Sequence, residues 1–338
     1  MILNINFNLT MFAKILNLRK NERIININYV PLNSFTSNTY IIKIEYCTDN
    51  KIQEKTFFLK TSTVHTLNTC HSLCVNEIDF YKTIRNHSLI DVLPTCFYEE
   101  YNQDEGKTVL VLEDLSKEYI SIPISNINID HILSSCLTLS KFHSKFWNDK
   151  SLNENNFDYF QIINESNKII EAFLKNNYRQ LSNEFIVMIN EAHTIYNELL
   201  TEEYYRKKNG ENITVINGDA HISNFMFSKS ISKQPKLIDF QFWKVGIGCL
   251  DLAHLTRKTT TISKSKQDHE CIVKKYHKSL VEYGVGNYTY KECFFDYQRC
   301  VATLILNPIW QNIKFNIPFD VCIQPMNSLI KNYKTLKK

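Results

Sequence analysis

Glycine and proline are scarce, seven of each in 338 residues. That excludes collagen-like and low-complexity architectures. No apolar run approaches the ~18 residues that a membrane span requires. The N-terminal MILNINFNLTMFAK lacks a basic start and breaks its apolar residues with asparagine, unlike a secretory signal. The sequence therefore predicts a soluble chain with no membrane partner. Charge is nearly balanced, 39 Lys+Arg against 35 Asp+Glu, so no strongly basic surface calls for nucleic acid. The ten cysteines form no CxxC pair, and Cys70 and Cys74, four apart, have no companion pair at zinc-site spacing. Buried reduced thiols in a cytoplasmic protein are the expectation.

What is present is enough apolar residue, 43%, for a sizeable core, in a chain long enough for one large domain or two lobes. The first third reads as strands. RIININYVPL (23–32) alternates Ile25, Ile27 and Tyr29 with asparagine, NTYIIKIEY (38–46) alternates Tyr40, Ile42, Ile44 and Tyr46, and KTFFLKT (55–61) follows. A helix over about 73–84 and two more strands, VLPTCFYEEY and TVLVLEDL, complete five strands with one helix after the third. Beyond residue 116 helices dominate. HILSSCLTLSKFHSKFW (131–147) carries Ile132, Leu133, Cys136, Leu139, Phe142, His143 and Phe146 at helical spacing. Further helices are expected near 161–175 and 182–200.

Glycine returns where chemistry is concentrated. TVINGDAHISNFMF (214–227) sets Gly218 beside Asp219, with His221 and Asn224 following. An aspartate facing a hydroxyl and an asparagine helping to hold Mg²⁺ are two parts of a phosphoryl-transfer site. LIDFQ supplies a second carboxylate, Asp239, an oxygen ligand of the kind a hard cation takes. Ordinary turns also collect aspartate, so the pair alone does not decide. Lys60 stands alone in the apolar strand FFLKT, where unpaired burial is costly, and Glu77 on the following helix is its expected partner. Such a pair positions a lysine on nucleotide phosphates; the other reading is an exposed strand-end lysine and an unrelated surface glutamate.

Taken together these segments resemble the aminoglycoside phosphotransferase and choline kinase-like superfamily, small-molecule relatives of protein kinases. GDAHISNFMF looks like its GDxHxxN loop, and LIDFQFWKVGIGCLDLAHL is similar to its metal-binding segment, including that of the ecdysteroid kinase-like branch. FFLKT, NEIDFY, VLVLEDLS and LSKFHSKFW fall in the same order, over roughly residues 29–255. The resemblance implies an α+β, protein-kinase-like two-lobe fold. A small five-stranded antiparallel lobe with one helix (1–115) would bind nucleotide, and a larger, mainly helical lobe (116–338) would hold the catalytic loop and acceptor site.

Residue by residue, the resemblance makes Asp219 the catalytic base, Asn224 and Asp239 the Mg²⁺ ligands, and Lys60 with Glu77 the phosphate-positioning pair. Glu113 to Leu115 becomes the hinge that offers backbone to adenine. NSFTSN becomes the loop over the phosphates through Ser34, Thr36 and Ser37, although it contains no glycine, and an ordinary hairpin turn is its other reading. The implied activity is ATP- and Mg²⁺-dependent transfer to a hydroxyl of a small molecule. The alternative is a catalytically silent nucleotide-binding relative, favoured by Asn217 where the family has histidine. His221 and Asp251 are read as structural supports of the loop.

Only eleven residues separate Asp239 from Asp251, too few for the activation segment of a protein kinase. The acceptor and the oligomeric state are left open. Glu191, Glu202 and Glu203, and the aromatics Trp243, Trp310 and Phe315, are candidates for the acceptor site, each equally readable as helix surface or core.

Overall fold

The computed structural model describes residues 9–34, 37–49, 51–63, 68–85, 87, 91–152, 159–230, 233–257 and 265–337. It divides into two compact units, one of residues 1–120 with 238–242, the other of 121–237 with 243–338.

The first unit begins with a short helix, α1 (Leu9–Ile15), followed by β1 (Arg23–Leu32), β2 (Asn38–Thr48) and β3 (Lys51–Thr63). Helix α2 (Asn68–Ile84) comes next, then β4 (Cys96–Asn102), β5 (Lys107–Glu113) and the two-residue β6 (Tyr119–Ile120). The first five strands form an antiparallel sheet in the order β1-β2-β3-β5-β4. Alternation sorts its faces. Tyr40, Ile42 and Ile44 of β2 join Phe57 and Leu59 of β3 and Val111 of β5 on one face, and α1 covers that face with Met11 and Phe12. Lys60, one position out of phase with Leu59, points to the other face, where α2 packs against β3, β4 and β5. Near the start of α2, His71 Nδ1 lies 3.2 Å from Ser62 Oγ, which in turn lies 2.7 Å from Thr108 Oγ1.

In β1 the alternation expected from Ile25, Ile27 and Tyr29 fails at its first member. The strand bulges between Ile24 and Asn26, so Ile24 and Ile27 pack on the core while Ile25 stands 48% exposed. A bulge inserts one unpaired residue and reverses the parity on either side of it. Tyr29, on this edge strand, is also exposed and meets Tyr40 edge-on.

The second unit is mainly helical. Its long helices are α3 (Ile129–Lys145), α4 (Tyr159–Asn177) and α5 (Asn183–Asn209). Short strands β7 (Thr214–Ile216), β8 (Phe225–Ser228), β9 (Lys236–Leu237) and β10 (Lys244–Gly246) follow, then α6 (Cys249–Arg257), α7 (Lys266–Glu282), α8 (Tyr290–Thr303), α9 (Asn307–Phe315) and α10 (Phe319–Lys337). Capping residues set several of these ends. Asn128, Ser265 and Thr289 accept the N3 amides of α3, α7 and α8, and Ser182 does so for α5. Helix α5 runs nine residues past Leu200 and stops where Gly210 turns left-handed, φ +69°. Of the predicted face of α3, Ile132, Cys136, Leu139, Phe142, His143 and Phe146 are buried and Leu133 is half-buried. Six cysteines, Cys74, Cys136, Cys249, Cys293, Cys300 and Cys322, are buried free thiols; the Cys70 side chain lies outside the described residues. Among the described residues no helix is long and apolar enough to cross a membrane.

Candidate active site

The first unit brings three of the expected residues together. Lys60 Nζ lies 2.5 Å from Glu77 Oε2 and 3.0 Å from Asp239 Oδ1. Two helix-to-loop contacts fix that geometry: the Phe240 amide donates to Glu77 Oε1 at 3.2 Å, and Asn76 Nδ2 donates to the Gln241 carbonyl at 2.8 Å. The Phe240 ring stacks on Phe80 of α2 at 3.8 Å, which anchors the segment. Asp239 itself is left-handed, φ +64°, a conformation that non-glycine residues adopt sparingly and that aspartate tolerates better than most. Burial opposes the Lys60 ammonium, but the Glu77 and Asp239 charges outweigh it and lift its pKa above the ordinary lysine range. Lys60 is therefore a fixed cation, and Asp239 is 42% exposed.

At the end of β5, the Glu113 amide donates to the Thr95 carbonyl at 2.8 Å and Asp114 Oδ1 accepts the Ser116 amide at 2.9 Å. The Leu115 carbonyl accepts from Tyr119 at 2.8 Å. Backbone in this stretch is thus ordered through its own turn. In the loop between β1 and β2, the Ser34 and Ser37 hydroxyls face each other at 3.2 Å; Thr36 lies outside the described residues.

The second unit builds the Asp219 loop. Gly218 sits at φ +80°, the left-handed turn for which glycine is suited. The Asn217 and Gly218 amides both donate to the Asp251 carboxylate, at 2.7 and 2.8 Å. Asn217, fully buried, returns its own Oδ1 to the Asp219 amide at 3.1 Å, so asparagine serves as a loop scaffold here. Behind Asp251 stands a buried relay: His143 Nε2 is 3.1 Å from Asp251 Oδ2, and His143 Nδ1 is 2.7 Å from the Tyr276 hydroxyl. Gly248 leaves room for this pair, since a Cβ there would lie 2.6 Å from Tyr276 Oη and 3.0 Å from His143 Nδ1. At the far end of the loop Asn224 Nδ2 donates to the Asp219 carbonyl at 3.0 Å, which leaves the amide oxygen as the atom able to accept a metal.

Two residues that sequence reasoning passed over complete this half. Asp219 Oδ1 lies 2.9 Å from Arg257 Nη2 and 3.2 Å from His254 Nδ1, while Oδ2 is 3.7 Å from His221 Nε2. Burial favours the neutral acid, but the His254 contact and the Arg257 charge outweigh it and hold the Asp219 carboxyl below its ordinary range. Asp251, His254 and Arg257 recur every third residue on α6, so one helix faces the loop with all three. That spacing in CLDLAHLTR was the available signal.

The acceptor candidates are mostly committed elsewhere. Glu191 binds the Tyr333 hydroxyl and Lys337, Glu202 binds Arg206 and Arg299, and Glu203 binds Lys244 at 2.7 Å. Trp243 is core, and Phe315 is 46% exposed.

With this geometry in view, the chain belongs to the ecdysteroid kinase-like family, whose pattern matches residues 31–285. It is similar in structure to a GDP complex of an aminoglycoside 2′-phosphotransferase-IIIa mutant, with TM-score 0.60, 10% identity, and 96% of each chain covered. A Plasmodium vivax ethanolamine kinase gives TM-score 0.52 at 13% identity, covering 92% of this chain and 82% of that one. A choline/ethanolamine kinase family protein from Mesorhizobium loti gives TM-score 0.52 at 11% identity, covering 92% and 88%. A comparison with curated protein sequences finds no match. The fold is therefore protein-kinase-like: a five-stranded antiparallel sheet with one helix, and a larger helical unit.

Proposed function

We propose that this chain is an ATP- and Mg²⁺-dependent phosphotransferase that moves the γ-phosphoryl group to a hydroxyl of a small molecule. The observation that carries this reading is the buried Lys60–Glu77 pair closing on Asp239. A buried lysine held by two carboxylates is costly as structure and useful as a fixed point charge for phosphate. In this reading residues 1–115 form the nucleotide-binding lobe and 116–338 carry the catalytic loop and acceptor site. Lys60 holds the α/β-phosphates with Glu77 fixing its rotamer, the Leu115 amide and Glu113 carbonyl meet the adenine edge, and the Ser34 and Ser37 hydroxyls lie over the phosphates.

The metal ligands in this reading are those the family resemblance implies, Asp239 and Asn224, whose side-chain oxygens are of the kind a hard cation takes. Mg²⁺ held by these residues would supply neutralisation of the charge that develops on the phosphate. Asp219 presents Oδ2 to the acceptor hydroxyl. With its pKa held low it orients the nucleophile and takes the proton late, as suits a loose transition state. Most of the acceleration then comes from positioning and electrostatics.

The neighbours named as ethanolamine kinase and aminoglycoside phosphotransferase support a small-molecule acceptor. The second reading, a silent nucleotide-binding relative, is favoured by one observation, that Arg257 and His254 already occupy Asp219 Oδ1.

Two variants test the assignment. Lys60→Met is expected to lose the rise in Tm that wild type shows with Mg²⁺ and ATP together. Asp219→Asn is expected to keep that rise and to lose phosphoryl transfer. Asp219→Asn turnover near that of wild type would remove Asp219 from its role.

A further inference from the structure

Resting on the phosphotransferase reading, we infer that the acceptor is an alcohol that also carries an acidic group, a carboxylate, sulfate or phosphate, and that Arg257 is the residue that selects it. The surroundings of Asp219 carry the inference. A single carboxylate there meets one guanidinium, Arg257 at 2.9 Å, and two imidazoles, His254 at 3.2 Å and His221 at 3.7 Å. These three side chains are largely buried, 16%, 7% and 16% exposed, and Asp219 is 25% exposed, so the group is shielded from bulk screening yet open to a ligand.

Arg257 gives Asp219 one Nη2 contact out of five guanidinium donors, which leaves the rest of a fork suited to a carboxylate, sulfate or phosphate. Paired bonds of that kind are charge-assisted and directional. A hydroxyl placed against Asp219 Oδ2 by such a fork is also placed for reaction.

The same geometry disfavours a cationic acceptor. An ammonium beside Arg257 meets like charge in a partly buried site, where Asp219 is already shared with Arg257 and His254. The three acids singled out as acceptor candidates are neutralised in place. Glu191 lies against Lys337, Glu202 against Arg206 and Arg299, and Glu203 against Lys244. The other carboxylate at the loop, Asp251, is consumed by the Asn217 and Gly218 amides and His143.

The test uses matched alcohols that differ only in carrying a carboxylate, sulfate or phosphate on one side of the comparison and an ammonium on the other. The full chain is assayed with γ-labelled ATP and Mg²⁺, beside Arg257→Gln and Arg257→Lys. The expected result is kcat/KM at least ten-fold higher for the acidic set. Arg257→Gln abolishes that preference mainly by raising KM, and Arg257→Lys restores part of it. Equal use of both sets, a preference for the ammonium set, or a preference unchanged in Arg257→Gln overturns the inference and leaves the kinase reading standing.

Binding is read separately, as the shift in Tm with inorganic sulfate. Asp219→Asn, which releases Arg257, is expected to bind sulfate more tightly than wild type, and Asp219→Asn combined with Arg257→Gln is expected not to bind it. Absence of transfer to any alcohol, with sulfate binding as expected, overturns the kinase reading and retains an acid-binding site at Arg257. Absence of both overturns both.

Discussion

Replacing Asp251 by alanine should destabilise the second unit more than any other single change at the loop. The carboxylate accepts the Asn217 amide at 2.7 Å and the Gly218 amide at 2.8 Å and faces His143 Nε2 at 3.1 Å, and none of its own surface is exposed. Alanine strands two backbone N–H groups in the interior, at about 1–3 kcal/mol each. Loss of the His143 contact, at about 1 kcal/mol, brings the sum to roughly 3–7 kcal/mol, a large part of the ~5–15 kcal/mol that holds a domain folded.

All three tryptophans, Trp147, Trp243 and Trp310, belong to this unit, so their fluorescence in a urea titration reports its unfolding. The midpoint should fall with an unchanged slope. Asp251→Asn keeps one acceptor oxygen and should lose less. A loss under about 1 kcal/mol for Asp251→Ala would refute the reasoning, because that is less than one stranded amide costs.

Gly248→Ala should cost about 1–3 kcal/mol by pushing Tyr276 and His143 apart, measured in the same titration, and Tyr276→Phe in the same chain should recover part of it. The Glu202 carboxyl is opposed by burial but held below its ordinary value of 4.5 by Arg299 and Arg206. A depressed folded pKa gives stability that is present above the unfolded value and lost as pH falls through the folded one. The gap in urea midpoint between wild type and Glu202→Gln should therefore stay constant from about pH 6 to 8 and shrink below about pH 4.5; a gap that widens in acid would contradict the pairing.

Much of this arrangement is legible in the sequence because the signals are local. Tyr40, Ile42 and Ile44 alternate and are buried; Lys60 is a lone charge in an apolar strand and its partner is on the next helix, one element away. Gly218 announces the left-handed turn that glycine is suited to. What escaped depends on position in three dimensions or on the loss of a regular phase. Arg257 lies 38 residues from Asp219 (257 − 219), and although their spacing puts Asp251, His254 and Arg257 on one face of α6, neither segment alone says that this face turns to the loop. In β1 the bulge after Ile24 breaks the alternation that the pattern rests on. Helix α1 is only seven residues, too short for periodicity, and is held by Met11 and Phe12 packing on the sheet rather than by its own propensity.

The measurement that bears most directly on the central claim is transfer of label from γ-labelled ATP, with Mg²⁺, into a pool of small-molecule alcohols that includes acidic, neutral and amino members. The account predicts label in a compound of the pool with wild type and none above background with Asp219→Asn. Label that appears equally with Asp219→Asn, or binding of Mg²⁺ and ATP with no transfer into any alcohol of the pool, would contradict it.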